Sequence, residues 1–363
     1  MSALAQVLFI ILFVGGLSLL AHWGRENRVA ETILITVLLF LSLLVVALGV
    51  LVALVGQVAI YTSDLPPEFP AGSAVVIVLA GLAGLALCIP PLRKVTGWVA
   101  ADRSAAALGH EGLAAAARST GNRRPAGRFS GDWWSDPPVF FALWMFVIVL
   151  TSKVIDLLAF ALAPDAVGSV LTSAGRLSPT AIVLTQLPFV VIALFGVGLG
   201  IRRNFWEALV RLGYGPIALP QLGVVALFVA GSLLLSFISD ALFAALQPDL
   251  YERVGKISEG LFSPEGLSPV SAILFALLIG VGAGLGEETL FRGAVQPALG
   301  ITLTSVLWAS MHVQYGPSLL LGYIFVLSVG LGLLRKHINT TASFLAHAGY
   351  NSLLMFLAYF LSV

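Results

Sequence analysis

Long apolar runs recur from one end of this sequence to the other, and the run from Thr32 to Ile60 contains no charged residue. A helix needs about 20 such residues to cross the hydrocarbon core of a membrane. Within lipid, backbone polar groups must be satisfied internally, so only helices and closed barrels span it. A barrel would need roughly 10-residue segments of alternating polarity, which these unbroken runs are not. The sequence therefore predicts an all-α fold, a polytopic transmembrane helical bundle.

Composition supports a membrane protein and excludes several other classes. Hydrophobic residues make up 59% of the chain and charged residues 10%, whereas soluble domains carry about 25% charged residues. The single cysteine, Cys88, excludes a disulfide framework and a thiolate metal cluster. A net charge of +1 gives no argument for nucleic acid. Membrane lipid is the expected surrounding partner.

Hydropathy and helix breakers predict about ten spans. The first run, from Leu4 to Leu20, lacks a basic leading segment and a small-residue cleavage site, so we expect it to be a retained span. The eighth span is short, and 302–334 is alternatively a helix pair broken at Gly316 and Pro317. The predicted spans are 3–22, 33–60, 73–92, 138–163, 180–201, 217–246, 270–288, 302–315, 317–334 and 341–362.

Lysine and arginine are unevenly distributed between the loops on the two sides of these spans. Fourteen fall on one side and three, Arg176, Arg253 and Lys256, on the other. Cationic loops stay in the cytoplasm, so the chain is predicted to cross the cell membrane many times with both termini extracytoplasmic. The fourteen are Arg25, Arg28, Arg93, Lys94, Arg103, Arg118, Arg123, Arg124, Arg128, Arg202, Arg203, Arg211, Arg335 and Lys336.

These patterns divide the chain into four predicted segments. Residues 1–92 form N-terminal spans, 93–137 a basic cytoplasmic loop, 138–269 the middle spans and 270–363 a C-terminal membrane core. The basic loop ends in Trp133 and Trp134, which is typical of an aromatic anchor that contacts lipid headgroups.

Ionisable side chains inside spans cost at least about 2.5 to 3.5 kcal/mol each, so each one is a functional hypothesis. Lys153 and Asp156 lie three residues apart in the fourth span, where they are expected to pair with each other. Glu287 and Glu288 are adjacent, and Arg292 follows. On a helix, Glu288 and Arg292 share a face, which leaves Glu287 free to act as a general base.

Two histidines also fall in apolar helices near these glutamates in sequence. His312 follows Trp308 by four residues, and Asn351 follows His347 by four, so each pair shares a helix face. A glutamate with a histidine can activate water, and a histidine with an asparagine amide can donate to an oxyanion. The set is complete for hydrolysing an amide.

The small-residue motif Gly280, Gly282, Gly284 and Gly286 precedes the two glutamates and is typical of close helix packing in membranes. Together the three motifs resemble the CAAX prenyl protease and bacteriocin-processing family, also called the Abi family. The motifs are Glu287-Glu288-xxx-Arg292, Trp308-xxx-His312 and His347-xxx-Asn351. Trp308 stands where the family usually has phenylalanine. The resemblance covers about residues 270–360.

The resemblance implies a glutamate-dependent intramembrane endopeptidase with a cavity that opens toward the cytoplasm. It implies that Glu287 and His312 activate the attacking water, and that His347 and Asn351 form the oxyanion hole. Glu288 and Arg292 would hold the motif helix and contact substrate. No cofactor is expected, although Glu287, His312 and His347 are also a plausible zinc set.

Two other functions stay open at this point, a non-catalytic immunity or scaffold protein and a transporter. Transport would give Lys153 and Asp156 the more important role and predicts paired broken helices in two matching halves. The expected partner of the enzyme is a membrane-tethered protein or peptide, and the sequence does not choose between a prenylated protein and a bacteriocin.

Overall fold

The computed structural model describes residues 3–59, 68–89, 136–173, 175–263 and 266–360. The regular elements within these ranges are helices, which confirms the predicted all-α bundle. Residues 93–135 of the predicted basic loop, with Trp133 and Trp134, lie outside the described residues.

Thirteen α-helices are described, with one π-helix and one 3-10 helix between them. Proline occupies the first turn of several of these helices, where its missing N–H costs nothing. The elements are α1 Ala3–Gly24, α2 Arg28–Ala59, α3 Glu68–Cys88, α4 Pro137–Leu162, α5 Pro164–Thr172, α6 Pro179–Gly196, α7 Phe205–Leu212, α8 Leu219–Leu246, α9 Pro248–Phe262, α10 Pro269–Glu287, the π-helix Glu288–Val295, α11 Gln296–Ser310, the 3-10 helix Val313–Tyr315, α12 Leu319–His337 and α13 Thr340–Phe360.

Eight helical segments among the described residues are long and apolar enough to cross a membrane. Each of the ten predicted spans overlaps a helix, but two of them, 270–288 and 302–315, fall within a single 42-residue segment, Pro269–Ser310. Helix α13 is not among the eight, because its first half carries the polar site residues. The chain is a multi-pass membrane protein.

The predicted end of the seventh span at residue 288 is wrong. The chain stays helical through the π-helix and the first turn of α11, and it breaks at Gly300, whose backbone (φ 78°, ψ 173°) is open to glycine alone. The second break is as predicted: α11 ends at Ser310, and Gly316 separates it from α12 with a φ of 57°.

One end of the bundle, which we call the basic face, consists of the α1–α2 turn, the start of α4, α7 and the α12–α13 turn. Arg25 donates to Asp136 from Nε at 2.5 Å, and Arg202 pairs with Glu26 at 3.2 Å. The amide of Thr340 donates to the Gly213 carbonyl at 2.9 Å. These contacts bring together the described members of the predicted basic side.

The opposite face joins the ends of α5, α9 and α13. The Leu177 amide donates to the Leu261 carbonyl at 3.0 Å, and the Tyr359 hydroxyl donates to the Leu267 carbonyl at 3.2 Å. Arg253 pairs with Asp165 on this face. The last described turn of α13 therefore lies at the end of the bundle away from the basic face.

The predicted division into segments does not correspond to separate cores. One apolar cluster contains Leu17 and Leu34 from the N-terminal spans, Phe140 from the middle spans and Leu299 from the C-terminal segment. Residues from three predicted segments therefore pack together beside the start of α11.

Candidate active site

Glu287 is the last residue of α10, and its side chain is half-buried. One carboxylate oxygen, Oε2, accepts a hydrogen bond of 2.6 Å from the indole Nε1 of Trp308. An ionised acceptor makes this bond stronger than one between neutral groups. The contact fixes the carboxylate on one side and leaves Oε1 free for another partner.

Glu288 is fully buried and contacts Arg292 of the same π-helix and His347 of α13. Its Oε2 lies 3.2 Å from Arg292 Nε, and its Oε1 accepts from His347 Nδ1 at 2.9 Å. Arg292 donates to the backbone carbonyl and the hydroxyl of Ser328 at 3.2 and 3.0 Å. The predicted pairing of Glu288 with Arg292 is confirmed. Because both side chains have no exposed surface, the pair has no surface available to a substrate and instead joins the π-helix to α12 and α13.

The switch from α10 to the π-helix lies between the two glutamates. A π-helix bonds residue i to i+5 and is common at functional sites. Thr289 donates through its hydroxyl to the Leu285 carbonyl, and the Tyr214 hydroxyl contacts Thr289 Oγ1 at 2.5 Å. Side-chain bonds therefore support the backbone at this irregular point.

The glycines that precede the glutamates lie on two faces of α10, as their spacing predicts. A Cβ on Gly284 would lie 3.1 Å from the Cβ of Ala348 on α13, and one on Gly286 would lie 3.0 Å from the Cβ of Gln186 on α6. The absence of side chains lets both neighbours approach the backbone of α10. This packing holds Glu287 between α6, α11 and α13.

His312 follows α11 in a half-buried position. Its Nδ1 lies 3.0 Å from the Trp308 carbonyl, which can only accept, so Nδ1 carries a proton. The neutral ring then presents Nε2 as an acceptor. The ring lies 4.6 Å from the Trp308 ring and is stacked at 6.2 Å on Tyr315.

His347 is 3% exposed and lies on α13 beside Trp308, with ring centroids 5.5 Å apart. Because Nδ1 donates to the Glu288 carboxylate, Nε2 is a donor only when the ring carries both protons. A buried carboxylate compensates the charge of such a ring. Asn351 lies one turn further along α13 and is half-buried; among the described residues its side chain has no hydrogen-bond partner that joins it to the other site residues.

Trp308 is the residue that joins these groups. It is 2% exposed, donates to Glu287, packs edge-on against both histidines, and lies 4.9 Å below the guanidinium of Arg292. The sequence indicated only an aromatic wall at this position. Its indole N–H contributes a hydrogen bond that the phenylalanine usual in the resembled family lacks.

The site lies deeper than the predicted span boundary implied. His347 is seven residues into α13, and Ser328 is nine residues before the end of α12. At 1.5 Å per residue, these positions are about 10 to 14 Å from the helix ends at the basic face. Glu287 ends α10 close to the predicted boundary, but the chain remains helical beyond it as far as Gly300.

Sequence reasoning missed Gln186, Tyr315 and Ser328. Gln186 packs against Gly286, and its Oε1 is buried without a donor among the described residues. These residues are uncharged and belong to none of the three motifs. A search for any amide or hydroxyl within an apolar span would have found Gln186 and Ser328.

The described residues contain no group of three or more His, Cys, Asp or Glu side chains placed to hold a metal ion. The predicted zinc set of Glu287, His312 and His347 is therefore not brought together as a group of metal ligands. The residues as arranged do not fit a zinc centre.

Residues 269–353 match the family model described as type II CAAX prenyl endopeptidase, Rce1-like. This part of the chain is similar to that family. The match contains every predicted site residue and confirms the family resemblance inferred from the sequence. The family is described as one of endopeptidases, which are hydrolases. No curated protein and no solved structure matches the chain.

Proposed function

We propose that this protein is a glutamate-dependent intramembrane endopeptidase that cleaves a membrane-associated protein or peptide. The observation that carries the proposal is that Glu287 and His312 both contact the same residue, Trp308. Both are half-buried, whereas Glu288, Arg292 and His347 beside them are buried. The two accessible groups are those that hold the attacking water in the reaction proposed below.

In the proposed reaction, Glu287 Oε1 and His312 Nε2 hold the attacking water by accepting its two protons in hydrogen bonds. Glu287 removes one proton as the water oxygen bonds to the scissile carbonyl carbon. The carbonyl oxygen becomes an oxyanion, to which His347 Nε2–H and the Asn351 amide donate. The C–N bond then breaks, and Glu287 returns its proton to the leaving nitrogen.

The buried Glu288–Arg292–His347 network has a supporting role in this scheme. Glu288 compensates the positive charge that His347 needs in order to donate from Nε2, and Arg292 compensates Glu288. We propose a reaction without metal, because Glu287, His312 and His347 do not form a group of metal ligands among the described residues.

The location of the site favours a substrate that enters the membrane region. The catalytic residues lie about 10 to 14 Å from the helix ends at the basic face, and we propose that this face is cytoplasmic. A substrate tethered to that side by a lipid group or a membrane segment would place its peptide bond at this depth. This is consistent with a prenylated protein and equally with a membrane peptide.

The test is cleavage of membrane-tethered peptides by the purified full chain. Wild type is compared with Glu287→Gln and Glu287→Ala, with and without a zinc chelator. Lys153→Gln is the control, because Lys153 pairs with Asp156 at 2.6 Å and makes no hydrogen bond to a site residue among the described residues. We expect cleavage by wild type and by the control, unaffected by the chelator, and none by the Glu287 variants.

Other outcomes contradict parts of the proposal. Activity lost with the chelator would assign the chemistry to a metal. Cleavage by both Glu287 variants at the wild-type rate would remove this residue from the mechanism. Peptide binding without cleavage across the panel would favour a scaffold. Loss of function in Lys153→Gln, with the Glu287 variants unaffected, would favour transport.

A further inference from the structure

Three arginines lie close together at the basic face, and we call them the arginine cluster: Arg203, Arg211 and Arg335. Arg203 precedes α7, Arg211 lies in its last turn, and Arg335 lies in the last turn of α12. The guanidinium of Arg335 lies directly against Gly213, the residue that caps α7. The two ends of α7 and the end of α12 thus carry these three cations at the basic face.

The acids nearest to the arginine cluster are already engaged. Asp136 accepts two hydrogen bonds from Arg25, and Glu26 pairs with Arg202. Glu207 completes the capping box of α7 with Asn204. Among the described residues, no acid lies within ion-pair distance of the three arginines.

The side chains of the cluster are nevertheless half-buried. Arg203 donates to the Val197 carbonyl, but the buried Nε of Arg335 has no acceptor among the described residues. Burial of a charge without a counter-charge is costly. A bound anion would remove that cost.

The electrostatics of the two arginines outside the spans agree with this geometry. Burial, and then the charges of Arg25 and Arg202, lower the pKa of Arg203 to about 10. Burial, and then Arg203, Arg335 and Arg25, lower the pKa of Arg211 to about 10, against a weaker opposing effect of Asp136. Both stay protonated at neutral pH, so the cluster is positive and its members repel each other.

The surroundings of the cluster indicate the level of the lipid headgroups. Helix α7 exposes Trp206 by 74% and Phe205 by 50%, with Val210 on the same short helix also exposed. Exposed aromatic residues at the end of a bundle are typical of the membrane interface. The apolar side chains would enter the lipid while the arginines remain at the polar boundary.

We propose that Arg203, Arg211 and Arg335 form a binding site for the phosphate group of an anionic lipid headgroup. Guanidinium groups bind phosphate oxygens through paired hydrogen bonds. The site would also support the active site, because Leu212 of α7 packs on Gly293 of the π-helix and its carbonyl accepts from Thr340 of α13 at 2.5 Å. The proposal does not depend on the proposed protease activity.

The experiment measures lipid binding and thermal unfolding of the purified full chain in neutral phosphatidylcholine with added phosphatidylglycerol. Wild type is compared with an Arg211→Gln and Arg335→Gln double variant. Arg253→Gln with Lys256→Gln is the matched control, since these cations lie on the opposite face in exposed ion pairs. Inorganic phosphate is titrated separately as the free anion.

We expect phosphatidylglycerol to bind wild type and the control with the same affinity, to raise their unfolding temperature, and to bind the cluster variant at least ten-fold more weakly. The same unfolding temperature of wild type in phosphatidylcholine with and without phosphatidylglycerol would overturn the proposal. An equal rise in unfolding temperature with inorganic phosphate at the same concentration would show that the site binds free phosphate and not a lipid headgroup. If the double variant does not fold, wild type is titrated at low and high ionic strength, and an affinity independent of salt would equally overturn the proposal.

Discussion

Glu287 and Glu288 are neighbours in the chain, but their carboxylates have different surroundings. Glu287 is half-buried and bonded on one side by Trp308, whereas Glu288 is enclosed by Arg292 and His347. The first is available for chemistry, and the second stabilises the fold. The same substitution is therefore expected to reduce activity at Glu287 and stability at Glu288.

Glu288→Gln is expected to destabilise the protein by about 3 to 5 kcal/mol, because it leaves Arg292 buried without a counter-charge. Glu287→Gln is the matched control and is expected to abolish cleavage with little change in thermal unfolding. Unfolding temperature and activity are measured for both variants. Equal stability of the two variants would contradict the structural role of Glu288.

Trp308→Phe removes the indole donor and keeps an aromatic ring. Hydrogen bonds to charged groups contribute about 1.5 to 3 kcal/mol, so kcat is expected to fall by about ten-fold or more while KM changes little. Trp144→Phe is the control, since Trp144 is also buried and donates to Ser42 at 2.9 Å outside the site. An unchanged kcat in Trp308→Phe would show that the bond does not position Glu287.

At the scale of the element, α10 positions the site because it has little side-chain volume at its contacts. Gly280 and Gly284 face α13, while Gly282 and Gly286 face α6. The π-helix that follows turns Glu288 toward α12 and α13 without ending the helix. These features place two acids from one segment into two environments.

Gly280→Ala is expected to destabilise the protein by about 1 to 3 kcal/mol, as is usual for overpacking. The new Cβ would lie 2.6 Å from the Ala348 carbonyl oxygen, a backbone atom that cannot move aside freely. Gly231→Ala on α8 is the control, because its Cβ would meet no atom within 4 Å. Thermal unfolding of both variants tests this, and a stable Gly280→Ala protein would contradict the packing.

At the scale of the whole molecule, the N-terminal and C-terminal segments form one bundle. Leu17, Phe140 and Leu299 share an apolar cluster, and α6 packs against the glycines of α10. Helices outside residues 269–353 therefore support those within this matched segment. The described cations are concentrated at the face where α12 ends and α13 begins.

The arrangement of the faces predicts the orientation of the chain. Alkaline phosphatase fused after the last residue is expected to be active, because the end of α13 lies away from the basic face and cationic loops stay in the cytoplasm. Green fluorescent protein at the same position is the control and is expected to be dark. A bright fluorescent fusion with an inactive phosphatase would reverse the orientation.

The sequence by itself determined the helical membrane fold, the separation of cationic from other loops, the Glu288–Arg292 and Lys153–Asp156 pairs, and the family resemblance. These features depend on apolar run length and on residues three or four positions apart, which local helix geometry relates directly. The break at Gly316 was visible for the same reason, since glycine and proline interrupt helices locally.

Only the tertiary structure decided which partners the site residues have. The bond from Trp308 to Glu287 joins residues 21 apart, and the contact of His347 with Glu288 joins residues 59 apart. The π-helix and the continuation of the helix to Leu299 were also hidden, because they depend on Tyr214, α12 and α13 packing around the segment. Local sequence periodicity carries no information on such distant contacts. The depth of the site and the hydrogen-bond partners of its residues therefore follow from how the helices pack.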